Sequence, residues 1–459
     1  MYSEKYAELK DFLKLTDNSL KFNRKNNFLP FNTQKIGRVS FQNGLLPIIG
    51  GLSRLVCGKN IDVTNRDIML DDIFNNEFFE VNEENKFYFK GLINDYLDVG
   101  NVNILHPKLF LFLPLSDGKE STGEKKISKF LNEIFFKNVD LESFFNGNNS
   151  NFSSNILIEF IISNLNDLSD KTESDFYKYP KSLNKVLEVI EEDFNFLLNH
   201  EDFLLNNFDL IVAYYLYFYF IQFTLKSFYS INNDVHISDD IENTYFLLDW
   251  ETVSVNRLSI SSGYKRVGEY LKELMIKIDL SEHLNILFGT ENILLPEFLS
   301  YFENLGDDEQ EEFIKYFKYL IRDVRIAEKL EEINLPNDFI SLINIYYRTL
   351  KESNSISTRA GPLSRYPKTI ENLGKKYFLK RRGRYGYMFN IDQEMLMIIT
   401  SLCIKEEKIK LTELYSEYER RGLFFDQESI NRINELLNNL NYIDKKSDSG
   451  GIEYVKSIL

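Results

Sequence analysis

One long apolar stretch constrains the fold of this chain more than any other feature. Residues 210–225 read LIVAYYLYFYFIQFTL between Asp209 and Lys226, and none of them is charged. A membrane-spanning helix needs about 20 apolar residues, and several residues here carry hydroxyl groups that need hydrogen-bond partners. A helix that is apolar on all sides is usually the central helix of a soluble domain. The stretch therefore predicts a buried core helix and no membrane segment.

Helical periodicity predicts a mainly α-helical body around that core. Apolar residues recur at helical spacing in three further segments, which are 181–200, 307–330 and 338–350. A chain of 459 residues exceeds one typical domain. A polar stretch at 146–155 or at 230–240 would mark a division of the body into two subdomains. The prediction is an acidic, mainly helical N-terminal body over residues 1–354.

The C-terminal residues 386–459 combine helices with a terminal hairpin. The helix-like segments are 391–404, 412–421 and 426–440, with a short strand at 408–411 and a hairpin at 442–455. Gly422 suits the position after a helix end, and Asp426 suits a helix N-cap. This order is the winged helix-turn-helix plan. The predicted fold class is thus mainly α, with a winged helix-turn-helix at the C-terminus and a connecting segment, 355–385, before it.

The net charge of −16 is distributed unevenly along the chain. Residues 355–459 hold 18 Lys and Arg against 14 Asp and Glu, a net charge of +4, so residues 1–354 carry a net charge of −20. Within the C-terminal part, segment 355–385 has nine basic residues and one acidic residue, whereas 386–459 has a net charge of −4. An acidic body repels polyanions, so the compact positive segment stands apart from the rest of the chain.

This basic segment is the strongest sign of nucleic-acid binding. Lys and Arg neutralise phosphates, and neighbouring aromatic rings make additional contacts. The candidate DNA-binding residues are Arg359, Arg365, Lys375, Lys376, Lys380, Arg381, Arg382, Arg384 and Tyr385, together with Arg432, Lys445 and Lys446 in the winged helix. Two other roles fit the same charge: a solvated linker, or a clamp onto the acidic body of the chain itself.

Catalytic and metal-binding patterns are not evident. The four histidines are dispersed, and Cys57 and Cys403 are too far apart in sequence for a thiolate metal site or a disulfide framework. The glycine-bounded run at 50–60 lacks the spacing of a phosphate-binding P-loop. The sequence therefore predicts no cofactor, no metal and no catalytic residues.

The segment Asp249-Trp250-Glu251 allows three interpretations. Clustered carboxylates bind Mg²⁺ in nucleases, so Asp249 and Glu251 define a nuclease hypothesis, although such pairs arise by chance in a chain that is 27% charged. A structural junction anchored by a buried Trp250 is the second interpretation. The third is a partner contact through Trp250, Asp249 and Arg257, because Trp and Arg are enriched in interface hot spots.

Helix 426–440 leaves a transcriptional regulator open as a further alternative. It offers Arg432 and several asparagines, and Asn can recognise adenine edges in the major groove. It also carries acidic residues, and a recognition helix usually offers several basic side chains. The slightly acidic winged helix favours a protein-docking role over DNA reading.

The C-terminal residues resemble the DptG family. The resemblance lies in Gly383-Arg384-Tyr385-Gly386-Tyr387 and in the final run from Ile443 to Leu459, and the segment from Asp249 to Arg257 is also similar. DptG is a component of the bacterial DNA phosphorothioation-dependent restriction system. The resemblance implies a bacterial defence protein that acts with DptF- and DptH-type subunits against DNA lacking the phosphorothioate mark. It implies no catalytic residues.

The expected function is a non-catalytic subunit of a DNA restriction complex. The basic segment would contact DNA, and the acidic body would bind partner subunits. A Mg²⁺-dependent nuclease subunit and a winged-helix transcriptional regulator are the alternatives. The start of the chain has no basic region followed by an apolar core of a secretory signal, so a cytoplasmic location is expected.

Overall fold

A computed structural model gives the architecture of the chain. It describes residues 2–17, 19–22, 28–31, 38–60, 88, 91, 104, 106–147, 162, 168–170, 179–229, 240–355, 360–445 and 453–459. Within these ranges the chain is mainly α-helical, which confirms the predicted fold class at this level.

The helices occupy most of the described residues. They are α1 (Tyr2–Phe12), α2 (Leu46–Val56), α3 (Ser121–Phe130), α4 (Leu141–Asn146), α5 (Asn184–Leu197), α6 (Glu201–Tyr229), α7 (Leu258–Ser261), α8 (Tyr264–Leu271), α9 (Leu274–Phe288), α10 (Phe298–Glu303), α11 (Asp307–Ala327), α12 (Phe339–Asn354), α13 (Ala360–Arg365), α14 (Lys368–Tyr377), α15 (Gln393–Ile404), α16 (Leu411–Arg420) and α17 (Gln427–Asn439). Short 3₁₀ helices cover Pro107–Phe112, Leu295–Glu297 and Gly383–Tyr385, and Leu131–Phe135 forms a π-helical turn.

Short strands form three small sheets. The strands are β1 (Lys59–Asn60), β2 (Ser169–Asp170), β3 (Leu247–Leu248), β4 (Leu379–Arg381), β5 (Tyr387–Ile391), β6 (Ile409–Lys410), β7 (Ile443–Lys445) and β8 (Glu453–Val455). Antiparallel β1 and β2 form one sheet; the second has the order β3-β5-β4, and the third β6-β8-β7. Only the β3–β5 pairing among these is parallel. The strands expected at 442–455 pair as β7 and β8.

The apolar stretch forms the middle of α6, the longest helix described. Aromatic rings surround it: Tyr219 lies against Phe130 of α3 at 5.4 Å between ring centroids, and Tyr217 stacks on Phe378 at 5.0 Å. By length and composition the span Glu201–Ser227 is able to cross a membrane, but 89% of its most apolar window is buried inside the protein. The predicted core helix is confirmed, and this burial is consistent with a soluble protein.

A second hydrophobic cluster lies beside the first. It joins α1 to parts of α9, α11 and α12, with Phe313 and Phe339 near its centre. Helix α9 contributes to both clusters, since Met275 and Ile278 belong to the α6 cluster while Leu280 and Leu284 belong to the second. Helix α9 therefore connects the two cores, and nearly all of its side chains are buried.

The buried Lys277 on α9 gives a pH-dependent stability prediction. Its side chain is 2% exposed and lies 4.3 Å from the Tyr347 ring centroid, and burial lowers the pKa of its amine to about 7. Because the unfolded chain binds this proton more tightly, wild-type stability falls as the pH drops from about 10 to about 7 and then levels off. We expect Lys277→Met to raise the free energy of unfolding by about 2 kcal/mol at neutral pH.

Urea denaturation at neutral pH and at about pH 9.5 checks this. At the higher pH the amine is neutral in the folded protein and, in the unfolded chain, close to its ordinary pKa, so losing its proton on folding costs less and the gain shrinks. Lys351→Met is the control, since Lys351 is more than half exposed in its pair with Glu273 and surface pairs contribute little. A gain for Lys277→Met that does not change with pH contradicts the assignment.

The C-terminal residues pack onto the body through a buried ion pair. Arg421 follows α16 and is fully buried; its Nε and Nη2 each donate to Asp193 of α5 at 2.7 Å. Its Nη1 donates to Glu417 at 2.5 Å, and the Tyr214 hydroxyl of α6 donates to the Arg421 carbonyl at 2.5 Å. The hydrophobic cluster around α6 contains residues from the body, 1–354, and residues from the C-terminal part, 355–459.

Candidate nucleic-acid interface

Segment 355–385 is structured rather than extended where the structure describes it. It forms α13, α14 and β4, and β4 turns back into β5 as an antiparallel hairpin in which Arg381 pairs with Tyr387. Gly383 and Gly386 in the turn have positive φ angles of 52° and 74°, which glycine adopts readily. The Arg382 N–H donates to the Gly386 carbonyl at 2.8 Å and closes the turn. The interpretation of this segment as a solvated linker is therefore wrong for residues 360–385.

Two of the predicted DNA-binding residues, Lys380 and Arg382, bind residues 248–251 of the body. Lys380 forms an ion pair with Asp249. Arg382 donates from Nη1 to the Glu251 carbonyl at 2.9 Å, and from Nη2 to the Leu248 carbonyl at 2.9 Å and to Asn390 Oδ1 at 2.6 Å. The clamp onto the body, which the sequence left open, is thus observed for these two side chains. Because the Arg382 guanidinium is bound to these carbonyls and to Asn390 at the edge of the sheet, it is not available to a phosphate.

The remaining basic residues of the hairpin region are exposed. Lys375, Lys376, Arg381 and Arg384 all have exposed side chains. The Arg384 guanidinium lies 4.9 Å from the Tyr385 ring centroid and donates to the Tyr385 hydroxyl at 2.7 Å. We call these four exposed cations the basic face; they are able to neutralise phosphates, although Lys376 also donates to the Gln42 carbonyl at 3.2 Å.

The other predicted DNA-binding residues lie apart from the basic face or carry internal contacts. Arg365 donates from Nε to the Gly361 carbonyl at 2.7 Å within α13. Arg432 is exposed on α17, with Nη1 3.0 Å from Glu435. In the backbone register of β7 and β8, position 445 lies opposite Glu453. Arg359 and Lys446 lie outside the described residues.

Arg257 has an internal role, which corrects its assignment as a partner contact. Arg257 is buried, with an exposed fraction of 5%. Its Nε donates to Asp426 at 2.6 Å, and its Nη2 donates to Glu251 at 2.8 Å and to Ser429 at 2.6 Å. Burial alone would raise the pKa of Asp426, but the hydrogen bonds from Arg257 and from the Ser429 N–H lower it. Arg257 therefore joins the body to the first turn of α17 and cannot reach a partner in this conformation.

Asp249 and Trp250 sit at the surface beside this network. The Lys380 hydrogen bond, aided by the Asn390 amide at 3.0 Å, lowers the pKa of Asp249. Trp250 is 43% exposed, so the interpretation of it as a buried anchor is wrong. Of the three proposed partner contacts, Trp250 and Asp249 are both partly exposed, and Asp249 is already paired with Lys380.

The carboxylates of the nuclease hypothesis do not face one another. Asp249 binds Lys380 and Asn390, while Glu251 is buried and binds Arg257 and Ser429. Among the described residues, no group of three or more His, Cys, Asp or Glu side chains is placed to hold a metal ion. Asp249 and Glu251 are occupied as ion-pair partners, and the geometry does not support the nuclease hypothesis built on them.

Sequence reasoning missed the residues that orient this region. Asn390 bridges Arg382 and Asp249, and Ser429 joins Arg257 to Glu251. The two glycines in Gly383-Arg384-Tyr385-Gly386 are a turn signal that predicts a hairpin here. Nothing local in the sequence predicts the contacts across 130 residues between β3 and the hairpin.

Comparisons with known proteins identify no family. No protein-family model matches the chain, and no curated protein matches it. The resemblance to the DptG family accordingly stays a prediction from the sequence.

Proposed function

We propose that this chain is a non-catalytic subunit of a bacterial DNA restriction complex and that it binds nucleic acid through the basic face. The observation that carries the DNA-binding part is the exposure of four cations, Lys375, Lys376, Arg381 and Arg384, on a chain with a net charge of −16. An acidic protein surface repels DNA, so binding must concentrate where positive charge is exposed.

We also infer that residues 386–459 form a winged helix-turn-helix. The order α15, β6, α16, α17, β7, β8 and the sheet order β6-β8-β7 support this inference. The first turn of α17 contacts the body through Asp426 and Ser429, both bound to Arg257. A recognition helix contacts base edges with its N-terminal residues, so this docking favours a structural role over that of a transcriptional regulator.

The restriction assignment rests on the sequence resemblance at Gly383–Tyr387 and at the C-terminus. It brings with it the proposal that DptF- and DptH-type subunits are the partners and that the protein works in the cytoplasm. Exposed Trp250 beside the hairpin is a suitable contact for such a partner. Genes for DptF- and DptH-type proteins next to the gene for this chain are the expected genomic context, and their absence would argue against this assignment.

Neutralising the hairpin cations tests the DNA-binding part. We expect Arg381→Gln/Arg384→Gln to weaken binding to a DNA duplex, and to reduce the slope of log K against log salt by up to about 1.8, because each lost phosphate contact removes about 0.9. Fluorescence anisotropy with labelled DNA across a salt series measures both quantities.

The matched control is Lys315→Gln/Arg322→Gln, which removes the same charge from exposed positions on α11. A loss of affinity in the control as large as in the hairpin variant would mean that only net charge matters. If the hairpin variant keeps wild-type affinity and slope, the basic face does not bind DNA.

A further inference from the structure

The outer side of the β4–β5 hairpin holds an exposed aromatic ring between two cations. Tyr387 is 40% exposed and is paired across the strands with Arg381. The Lys375 amine lies 5.1 Å from the centroid of the Tyr387 ring. Directly paired side chains on antiparallel strands have Cβ atoms about 5 Å apart. One ring and two phosphate-binding groups therefore share a surface of roughly the size of one nucleotide.

Each tyrosine of the hairpin has a cation over its ring, Arg384 over Tyr385 and Lys375 over Tyr387, and the two differ in exposure. The Tyr385 ring faces the Arg384 guanidinium, and its hydroxyl accepts a hydrogen bond from that side chain. The Tyr387 side chain is exposed, whereas the Tyr385 side chain is half-buried. Tyr387 is the ring that an incoming base is able to reach.

The position of Tyr387 is rigid because the rest of β5 is buried. Residues 388–391 are all buried, and Phe389 stacks on Phe246 with 4.8 Å between ring centroids. Asn390 holds the strand to Arg382 at 2.6 Å. A ring on an anchored strand loses little conformational entropy when a base stacks on it.

We infer that this surface binds an unpaired strand of nucleic acid, with a base stacked on Tyr387 and the flanking phosphates on Arg381 and Lys375. The inference rests on the proposed function and specifies its ligand. Exposed aromatic rings beside a positive surface are how proteins bind single strands, because every base has a face to stack.

A duplex fits this surface less well for two reasons. Its bases are already stacked on each other, and opening a step costs a few kcal/mol before a protein ring gains a contact. A duplex also has a persistence length of about 150 base pairs. A short duplex therefore stays straight and cannot bend away from the acidic surfaces of a chain with a net charge of −16. A flexible single strand is able to follow a small positive surface.

Three probes test the inference with the full chain: oligothymidine and oligouridine of about 20 nucleotides and a duplex of the same length. We expect wild-type protein to prefer a single strand, and Tyr387→Leu to weaken single-strand binding about tenfold. Tyr387→Phe, which keeps the ring, should bind like wild type. Tyr319→Leu is the matched control, because Tyr319 is 37% exposed on α11. Fluorescence anisotropy measures all affinities, and circular dichroism checks folding.

The outcomes separate the inference from the proposed function. Preference for oligothymidine or for oligouridine identifies the strand as DNA or RNA. The inference fails if wild type prefers the duplex, if Tyr387→Leu binds single strands like wild type, or if Tyr387→Phe is as defective as Tyr387→Leu. If Arg381→Gln/Arg384→Gln weakens duplex binding while Tyr387→Leu changes nothing, the proposed function stands and only the single-strand inference is overturned.

Discussion

Replacing Arg421 with Met is expected to lower the free energy of unfolding by about 3–5 kcal/mol. The change leaves the fully buried carboxylate of Asp193 without Arg421; the Tyr215 hydroxyl remains as a donor, and the nearest other cation is Lys405, whose Nζ lies 4.0 Å away. An unpaired buried charge costs more than the loss of an exposed ion pair, because no water replaces the missing partner. Urea denaturation followed by circular dichroism measures the loss.

Two further variants isolate the buried charge as the cause. Arg421→Met/Asp193→Asn removes both charges and should recover more than half of the loss, since a neutral amide is less costly to bury than a carboxylate. Arg432→Met removes an exposed cation paired with Glu435 and should cost less than about 1 kcal/mol. If Arg421→Met costs no more than Arg432→Met, the ion pair does not hold the C-terminal residues to the body.

A methyl group at position 422 is expected to be nearly as damaging. Gly422 has a φ angle of +81°, and a Cβ there would lie 2.2 Å from the Phe218 ring of α6. The left-handed conformation costs a non-glycine residue about 1–2 kcal/mol, and overpacking a core adds a similar amount. We expect Gly422→Ala to lower the free energy of unfolding by about 3 kcal/mol.

Gly383→Ala separates backbone strain from the clash. Gly383 also has a positive φ, but a Cβ there would meet no atom within 4 Å, so its cost should be about 1 kcal/mol. Urea denaturation of both variants compares them, and fluorescence of Trp250, the single Trp of the chain, reports changes near the hairpin. Equal losses in the two variants would show that the contact with Phe218 contributes nothing.

The helical elements were predictable because their signals are local. Apolar spacing placed α11 and α12 correctly to within a few residues, and the 210–225 stretch placed α6 in the core. Asp426 caps α17 by accepting from the Ser429 N–H at 3.2 Å. Gly422 has the positive φ expected after a helix end. Each of these depends on residues within a few positions of one another, which is the range over which a sequence pattern carries information.

The basic segment was harder to interpret because one charge pattern fits several structures. The sequence shows how many Lys and Arg the segment contains. It does not show that Lys380 and Arg382 contact Asp249 and Glu251 while Arg381 faces outward. In a strand, neighbouring side chains point to opposite sides. The division into bound and exposed cations therefore depended on β4 being a strand, which the sequence pattern did not indicate.

The sequence by itself determined the helical character, the central helix, the uneven charge and the capping residues of the C-terminal helices. The tertiary structure decided which cations remain exposed, that Arg257 and Arg421 are internal, and that Trp250 and Tyr387 reach the surface. The physical reason is distance along the chain. Helix formation follows from side chains a few positions apart, whereas the pairing of Arg421 with Asp193 joins residues separated by 228 positions and is stabilised only once the core has formed.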